Sequence, residues 1–419
     1  MSPRWPKPIE LDGLEVVGYT DAGDRPPFKL ALTVVGDRWY LVTGHLWHRG
    51  WSVLDVTDPT DPRPVAFHEG PANTWTAQVN MADGLLVAGL AKIPPAWGGD
   101  PGQPFAEAVA VLDVRDPLRP REVSTIRLGG TGAHRSFWNG GRYAWLAANA
   151  EGYAHYLLVV VDLADPAAPR EVGRFWLPGQ GPGEPRPSAE DGVSLHGPAY
   201  VVGDRAYCAW GGAGMVILDV ADPAQPRLVS RWSVSPPFNG GLFGAGVHTV
   251  RPLPARGLAI VNGEAHEELC HEAPTFAGIV SIADEAHPRL VSLLPAPVPP
   301  PGLPYTSYCD KGGRFGPHNQ ALAQGNPGLE DRDDLVHLTW FNAGLRVYDI
   351  TDARTPREIG RFVPADPARR YGPLPATALV AQSEDVLVDR RGYIYVTDKH
   401  QGVYVLRRTR EPGPQGGNG

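Results

Sequence analysis

The sequence predicts an all-β protein, a seven-bladed β-propeller closed by an N-terminal strand that completes the last blade. Three observations carry that expectation. Residues 193–229 (VSLHGPAYVVGDRAYCAWGGAGMVILDVADPAQPRLV) read as four short strands, with apolar and β-branched runs of strand length and Gly, Pro and Asp confined between them. The third strand and the corner that follows it recur along the chain. The last module lacks its fourth strand, and the opening of the chain contains one. A single four-stranded sheet has two apolar faces and must stack on copies of itself.

The recurring stretch is VLDVTDPTDPRPV from Val53, VLDVRDPLRPREV from Val111, VVDLADPAAPREV from Val160, ILDVADPAQPRLV from Ile217, IVSIADEAHPRLV from Ile279 and VYDITDARTPREI from Val347. Its chemistry explains its form. Asp58, Asp116, Asp165, Asp222, Asp284 and Asp352 can each cap the corner with a side-chain hydrogen bond to backbone. The Pro before the fourth strand fixes φ and stops the third strand from continuing. These residues resemble the LVIVD-repeat family of β-propellers over nearly the whole chain. The resemblance implies the fold and leaves the activity open, because one propeller scaffold hosts many activities.

Taken in order, the blades fall near 29–70, 75–130, 133–178, 193–234, 245–295, 316–364 and 383–408. They form one domain over 1–410, followed by a tail from Glu411 (EPGPQGGNG) whose composition predicts disorder. LEVVGYT at Leu14–Thr20 looks like the REVGRFW and REIGRFV fourth strands and supplies the strand missing after Arg408. Closing the ring in this way removes an open sheet edge. Most long connections, among them those around 90–107, 178–192, 235–245, 264–276, 296–315 and 364–382, share one face of the ring. Long loops on one face of a rigid scaffold mark where function sits.

Composition narrows the partners. The 50 Gly and 45 Pro fall at turns, which fits all-β structure and not disorder. A net charge of −8 gives no basic footprint for nucleic acid. No run reaches membrane-spanning length, and MSPRWPKPIELDG has no apolar leader core. Cys208, Cys270 and Cys309 are odd in number and show no metal-like spacing, so no disulfide framework is expected. The expectation is a cytoplasmic protein with reduced thiols.

One slot carries chemistry. Aligned by the turn after each inner strand, the position eight or nine residues earlier holds Lys29, Thr76 (or Trp75), His134, His196, His248, His318 and Glu384; GPHNQAL sets the alignment of His318. The slot opens the innermost strand, faces the central axis and is open to the long-loop face. Imidazoles from four consecutive blades therefore converge, and crowded neutral imidazoles are poorly satisfied without an ion. The expected ligands are His134, His196, His248 and His318. Four nitrogen donors suit Fe(II), with Cu or Zn as other candidates.

The Lys29, Thr76 and Glu384 side is left for a small organic substrate or dioxygen. Glu384 either orients a ligand histidine or is a solvated strand-end acid. His45, His48, His155, His266, His271 and His400 fall on the same face. The run GEAHEELCHEAP (263–274) offers a further ligand, a lid or a solvated loop. Trp47, Trp51, Trp75, Phe238, Phe243, Tyr305 and Tyr308 either wall a pocket or pack the loops down.

A propeller with four axial histidines resembles the carotenoid-cleavage oxygenases, in which four histidines hold non-haem iron with supporting glutamates. It also resembles the selenium-binding protein and methanethiol oxidase group, with its histidine-bound axial metal. The match lies at His134, His196, His248 and His318 alone, and the chain has the LVIVD corner in place of the carotenoid-oxygenase motifs. The resemblance implies a metal-dependent oxygenase or oxidase. Two other readings stand beside it: a metal-assisted lyase with His266 or Glu384 as base, and a non-catalytic scaffold that binds a partner on the loop face.

Overall fold

The computed structural model describes residues 5–186, 193–234, 238, 246–323 and 325–413. Strands dominate them, and the helical content is one turn at Tyr308–Lys311 with two 3-10 turns at Pro95–Trp97 and Pro254–Arg256. Five four-stranded antiparallel sheets and one eight-stranded sheet are formed. The eight-stranded sheet is two four-stranded runs, 74–127 and 132–175, whose strands pair with each other at Gly132–Ala91. No helix among the described residues is long and apolar enough to cross a membrane.

The corner motif works as its chemistry dictates. In all six copies the Asp side chain accepts a hydrogen bond from the backbone N–H two residues on: Thr60, Leu118, Ala167, Ala224, Ala286 and Arg354 donate. The earlier Asp of the motif does the same at Asp55, Asp113, Asp162, Asp219 and Asp349. Such Asx turns stop the third strand and aim the fourth.

The core lies between sheets. Phe137, Leu158 and Val160 of one sheet pack with Cys208, Val216 and Leu218 of the next. A comparable cluster joins the last sheet to the first through Leu387, Tyr395, Val405, Leu30, Leu41 and Leu54. Those two sheets are also bonded directly. Thr397 Oγ1 donates to Phe28 O at 2.9 Å, and Leu30 N–H donates to Asp385.

Leu14–Thr20 pairs antiparallel with Val403–Arg408, Leu14 opposite Arg408 and Thr20 opposite Val403. A Cβ at Gly18 would lie 2.2 Å from Pro59 O, just as one at Gly173 would lie 2.2 Å from Pro223 O. Leu14–Thr20 therefore seats on the corner of the first sheet as Arg170–Phe175 seats on the corner near Pro223.

Four expectations are corrected. GPHNQALA is not a regular inner strand. It is held beside Leu335–Thr339 by His318 N–H to Thr339 O and Ala321 N–H to His337 O, with Gln320–Leu338 as an isolated bridge. Its side chains reach sideways instead: Asn319 donates to Glu384 O, and Gln320 donates to Asn262 Oδ1 and Ile260 O. Second, an unforeseen strand, Glu10–Asp12, pairs with Arg357–Val363 and is anchored where Tyr308 OH donates to Glu10.

Third, Cys270 and Cys309 form a disulfide with Cα atoms 5.4 Å apart, while Cys208 is free and buried. An odd cysteine count hid a pair separated by 39 residues and joined by two loops. The expectation of reduced thiols is overturned, and with it the support for a cytoplasmic setting, because such bonds persist in oxidising compartments. Fourth, the tail does not begin at Glu411. That residue accepts from Arg332 at 2.6 Å and from Arg408 at 3.2 Å, and residues 414–419 lie outside the described residues.

Candidate metal centre

The four slot histidines stand in a row. Ring centroids are 4.8 Å apart for His134–His196, 5.1 Å for His196–His248 and 4.8 Å for His248–His318. Each opens the inner segment of its own blade, so ring geometry brings together residues far apart in sequence. Burial pushes all four below the ordinary histidine value, His196 to about 4. They are neutral, and which of them keeps a free lone pair depends on its partners.

A carboxylate sits in their midst. Glu264 follows directly on the strand Leu258–Asn262 and is buried at 6 % exposure. Its Oε2 lies 3.1 Å from His196 Nε2, 3.3 Å from His248 Nε2 and 3.2 Å from His266 Nε2. Its Oε1 accepts from Arg314 Nη1 at 3.0 Å. Burial alone would raise the Glu264 value, but the surrounding imidazoles and the bond from His196 hold it well below the usual carboxylate range. The ligand atoms of His196, His248 and Glu264 all lie within 4.8 Å of one another.

His248 shows what such a cluster favours. Its Nδ1 is 2.8 Å from Thr249 Oγ1, and that hydroxyl is directed to His318 O at 3.4 Å. Nδ1 therefore donates, and Nε2 is left with a lone pair. That nitrogen is fully buried and makes no hydrogen bond, although it faces the Glu264 oxygen. A lone pair set against a carboxylate is adverse until a cation lies between them. The donor set of two imidazoles and one carboxylate fits such an ion.

The other two slot histidines stand beside this triad. His318 Nδ1 lies 3.1 Å from Glu384 Oε2, and its Nε2 faces Arg135 Nη2 at 3.4 Å, so both nitrogens are engaged. His134 is stacked on Tyr156 at 5.1 Å and 13°, next to His196. The structure thus brings the four expected histidines together, while the convergent ligand atoms belong to His196, His248 and Glu264.

Glu384 is fully buried, which removes the solvated strand-end reading. Lys399 Nζ lies 2.9 Å from its Oε1, and Arg314 Nη2 is 3.9 Å away. Burial would raise its value, but Lys399, His318 and Arg314 outweigh that and bring it down to about 2. Its carboxylate fixes the His318 ring, the arrangement in which an acid orients an imidazole beside a metal site.

Lys29 does not face the cavity: its Nζ is tied to Asp385 Oδ1 at 2.7 Å. The Thr76 hydroxyl is closed on Gly50, accepting from its N–H and donating to its C=O. His45 is buried with Nδ1 on Pro26 O and Nε2 on Ser52 Oγ, both at 2.9 Å. His266 stands at the rim, with its side chain 26 % exposed.

A cavity of about 800 Å³ opens over the cluster. Phe28, Trp75, Trp97 and Tyr156 line it on the apolar side; Glu264, Arg314 and Lys399 are among its polar groups. Trp51, Tyr305 and Tyr308 take no part in this wall, and Phe243 falls outside the described residues. Trp97 was missed by sequence reasoning. It sits in the Pro/Gly excursion, stacked on Trp47 at 5.7 Å and edge-on to Trp75 at 5.5 Å. Lys399 was missed as well; burial and the nearby Arg314 lower its value to about 8. Glu264 and Lys399 both stand just past the second strand of their sheets, a place that GEAH and DKH would have marked had that position been aligned too.

Fold and repeat together define a β-propeller repeat protein. The chain carries LVIVD repeats, matched at residues 132–176 and 200–234. Among solved structures it is similar to the WD40 β-propeller domain of Doa1, at a TM-score of 0.55 and 8% identity, covering 95% of this chain and 98% of that one. The computationally designed Ika8 protein matches at a TM-score of 0.48 and 10% identity, over 93% and 99% of the two chains. No curated protein matches the sequence. At these identities the likeness is one of fold.

Proposed function

We propose that the chain is a seven-bladed propeller, its ring closed by Leu14–Thr20, that binds a divalent metal through His196, His248 and Glu264 and acts as a metal-dependent oxidoreductase on a small organic substrate. The observation that carries the reading is the unpartnered His248 Nε2 facing Glu264 beside His196. Two histidines and one carboxylate form the donor set typical of non-haem Fe(II), so an iron oxygenase or oxidase is the first choice. Cu and Zn are accepted by the same donors. A bound ferrous ion would supply reactivity toward dioxygen.

The protein's own groups have separable tasks. His196 and His248 stay neutral and offer nitrogen, while Glu264 brings the charge. Glu384 and Arg135 fix His318 on either side. Trp75, Trp97, Phe28 and Tyr156 keep water from the floor of the cavity, and His266 stands at the rim within reach of solvent as a proton carrier. A metal-assisted lyase has one observation in its favour: His266, a candidate base, lines the same cavity.

Elemental analysis of freshly purified protein, followed by dioxygen uptake after Fe(II) loading, tests the proposal. About one metal per chain in the wild type, and far less in a folded His248→Ala variant, is expected. Absence of metal even after loading would leave the scaffold reading in place. Bound metal without dioxygen uptake in any substrate screen would favour the lyase.

A further inference from the structure

We propose that the cavity over the candidate metal centre contains a built anion subsite, formed by Arg135 and Gln78, and that its substrate is a small organic acid with an aromatic or apolar body. The inference deepens the proposed function and rests on this cavity being the substrate cavity.

Arg135 lies on the inner strand Gly132–Phe137, next to His134, and is only 4 % exposed. Its Nη1 donates to Asn319 Oδ1 at 2.9 Å, and its Nη2 faces His318 Nε2. Its Nε has no partner. Among the described residues no carboxylate comes within 4.0 Å of this guanidinium, whereas three other buried cations around the cluster each have one. Lys29 is on Asp385, Arg314 on Glu264 and Lys399 on Glu384. Glu264, Asp385 and Glu384 act on Arg135 only from farther off. A guanidinium buried without an adjacent anion is costly, and such a cost persists at sites that bind one.

Gln78 is the second donor. It is 7 % exposed on the strand Thr74–Ala82, and its Nε2 also lacks a partner. Ser136 donates to Asn80 Oδ1 at 2.8 Å, which registers the two inner strands and sets Gln78 beside the His134–Arg135 end of its neighbour. Arg135 and Gln78 line the same cavity, across which lie the aromatic faces of Trp75, Trp97, Phe28 and Tyr156. Two unpartnered N–H donors, one of them cationic, match a carboxylate; the aromatic faces match the body attached to it.

Benzoate and its neutral isostere benzamide are the probes, titrated into the full chain by calorimetry and by tryptophan fluorescence. Benzoate is expected to bind at least 10-fold more tightly than benzamide. Arg135→Gln should weaken benzoate about 10- to 100-fold, the worth of a charge-assisted hydrogen bond, and leave benzamide within two-fold. If Arg135→Gln does not fold, Gln78→Glu decides, since the added charge should abolish benzoate binding and spare benzamide.

Failure of wild-type protein to bind benzoate, equal binding of the two probes, or benzoate binding unchanged in a folded Arg135→Gln overturns the subsite. His248→Ala separates this from the metal reading. Arg135-dependent benzoate binding that survives loss of metal supports the subsite by itself. Benzoate binding lost with the metal but kept in Arg135→Gln would put the carboxylate on the ion, and the subsite would fall while the metal site stood.

Discussion

Glu264→Gln is the sharpest perturbation of the centre, because it keeps the shape of the side chain and removes only its charge. Two effects follow from the geometry, and they differ in size. In the metal-free protein the Arg314 bond at 3.0 Å loses its charge assistance, worth about 1.5–3 kcal/mol. The guanidinium keeps Ala265 O at 3.1 Å and Glu384 at 3.9 Å, so the loss should fall at the lower end and the fold should survive. Metal affinity should suffer far more. A residue outside the ligand set costs about 10- to 100-fold, and a ligand should exceed that range.

Metal per chain by elemental analysis, affinity by competition with a chromophoric chelator, and melting temperature together separate the two effects. Glu384→Gln is the internal comparison: acting only through His318, it should cost affinity or activity about 10- to 100-fold. Glu267→Gln, on the exposed side of the same loop, should change nothing. A folded Glu264→Gln variant with wild-type metal content and affinity would refute the triad.

Acidification should destabilise the chelator-stripped protein as pH falls through 6.5 toward 4. His45 and His196 are neutral in the fold, their values lowered by burial to about 3 and about 4. At these two groups the unfolded chain binds more protons across that window, so their contribution to stability rises with pH through it; Asp398, raised to about 7 by burial, acts in the opposite sense. His196 alone contributes about 3 kcal/mol by this lowering, and a folded His196→Ala variant whose denaturant midpoint keeps the wild-type pH dependence between pH 4 and 7 would contradict it. Replacing Cys270 and Cys309 by Ser should cost about 4 kcal/mol by loop-closure entropy for a ring of roughly 40 residues; unfolding midpoints with and without reductant read it. Deleting residues 1–20 removes both Glu10–Asp12 and Leu14–Thr20 and bares two sheet edges, so aggregation or a lower melting temperature is expected. A truncated chain that melts with the full-length protein would count against closure.

The repeat made most of the sheet architecture legible. Period-two strands, Asx corners and the LEVVGYT likeness are local chemistry repeated in register, so one copy interprets the others. The same regularity located His134, His196, His248 and His318, because equivalent slots on adjacent inner strands must be neighbours in space. What failed was whatever the repeat does not encode. Glu10–Asp12 resembles no module strand. GPHNQALA looks like an inner strand, yet its Asn319 and Gln320 amides bond sideways across the axis. The disulfide joins two insertions with no counterpart in other blades.

The division between ligand and support was illegible for a related reason. A slot fixes where a side chain begins; partners fix which nitrogen remains free. His318 and His248 occupy equivalent positions, but Asn319 and Arg135 contact the two nitrogens of the first, with Glu384 at 3.1 Å, while Thr249 takes Nδ1 of the second and leaves Nε2 without a hydrogen bond. Lys29 and Arg135 are both buried cations close to the axis, and again the partner decides. Asp385 neutralises Lys29 at 2.7 Å, and no comparable acid meets Arg135. A buried polar group left unpaired by a fold that pairs its neighbours is the feature that points to a ligand: Arg135 lines the cavity and calls for an anion, while His248 Nε2 faces Glu264, itself on that cavity, and calls for a cation.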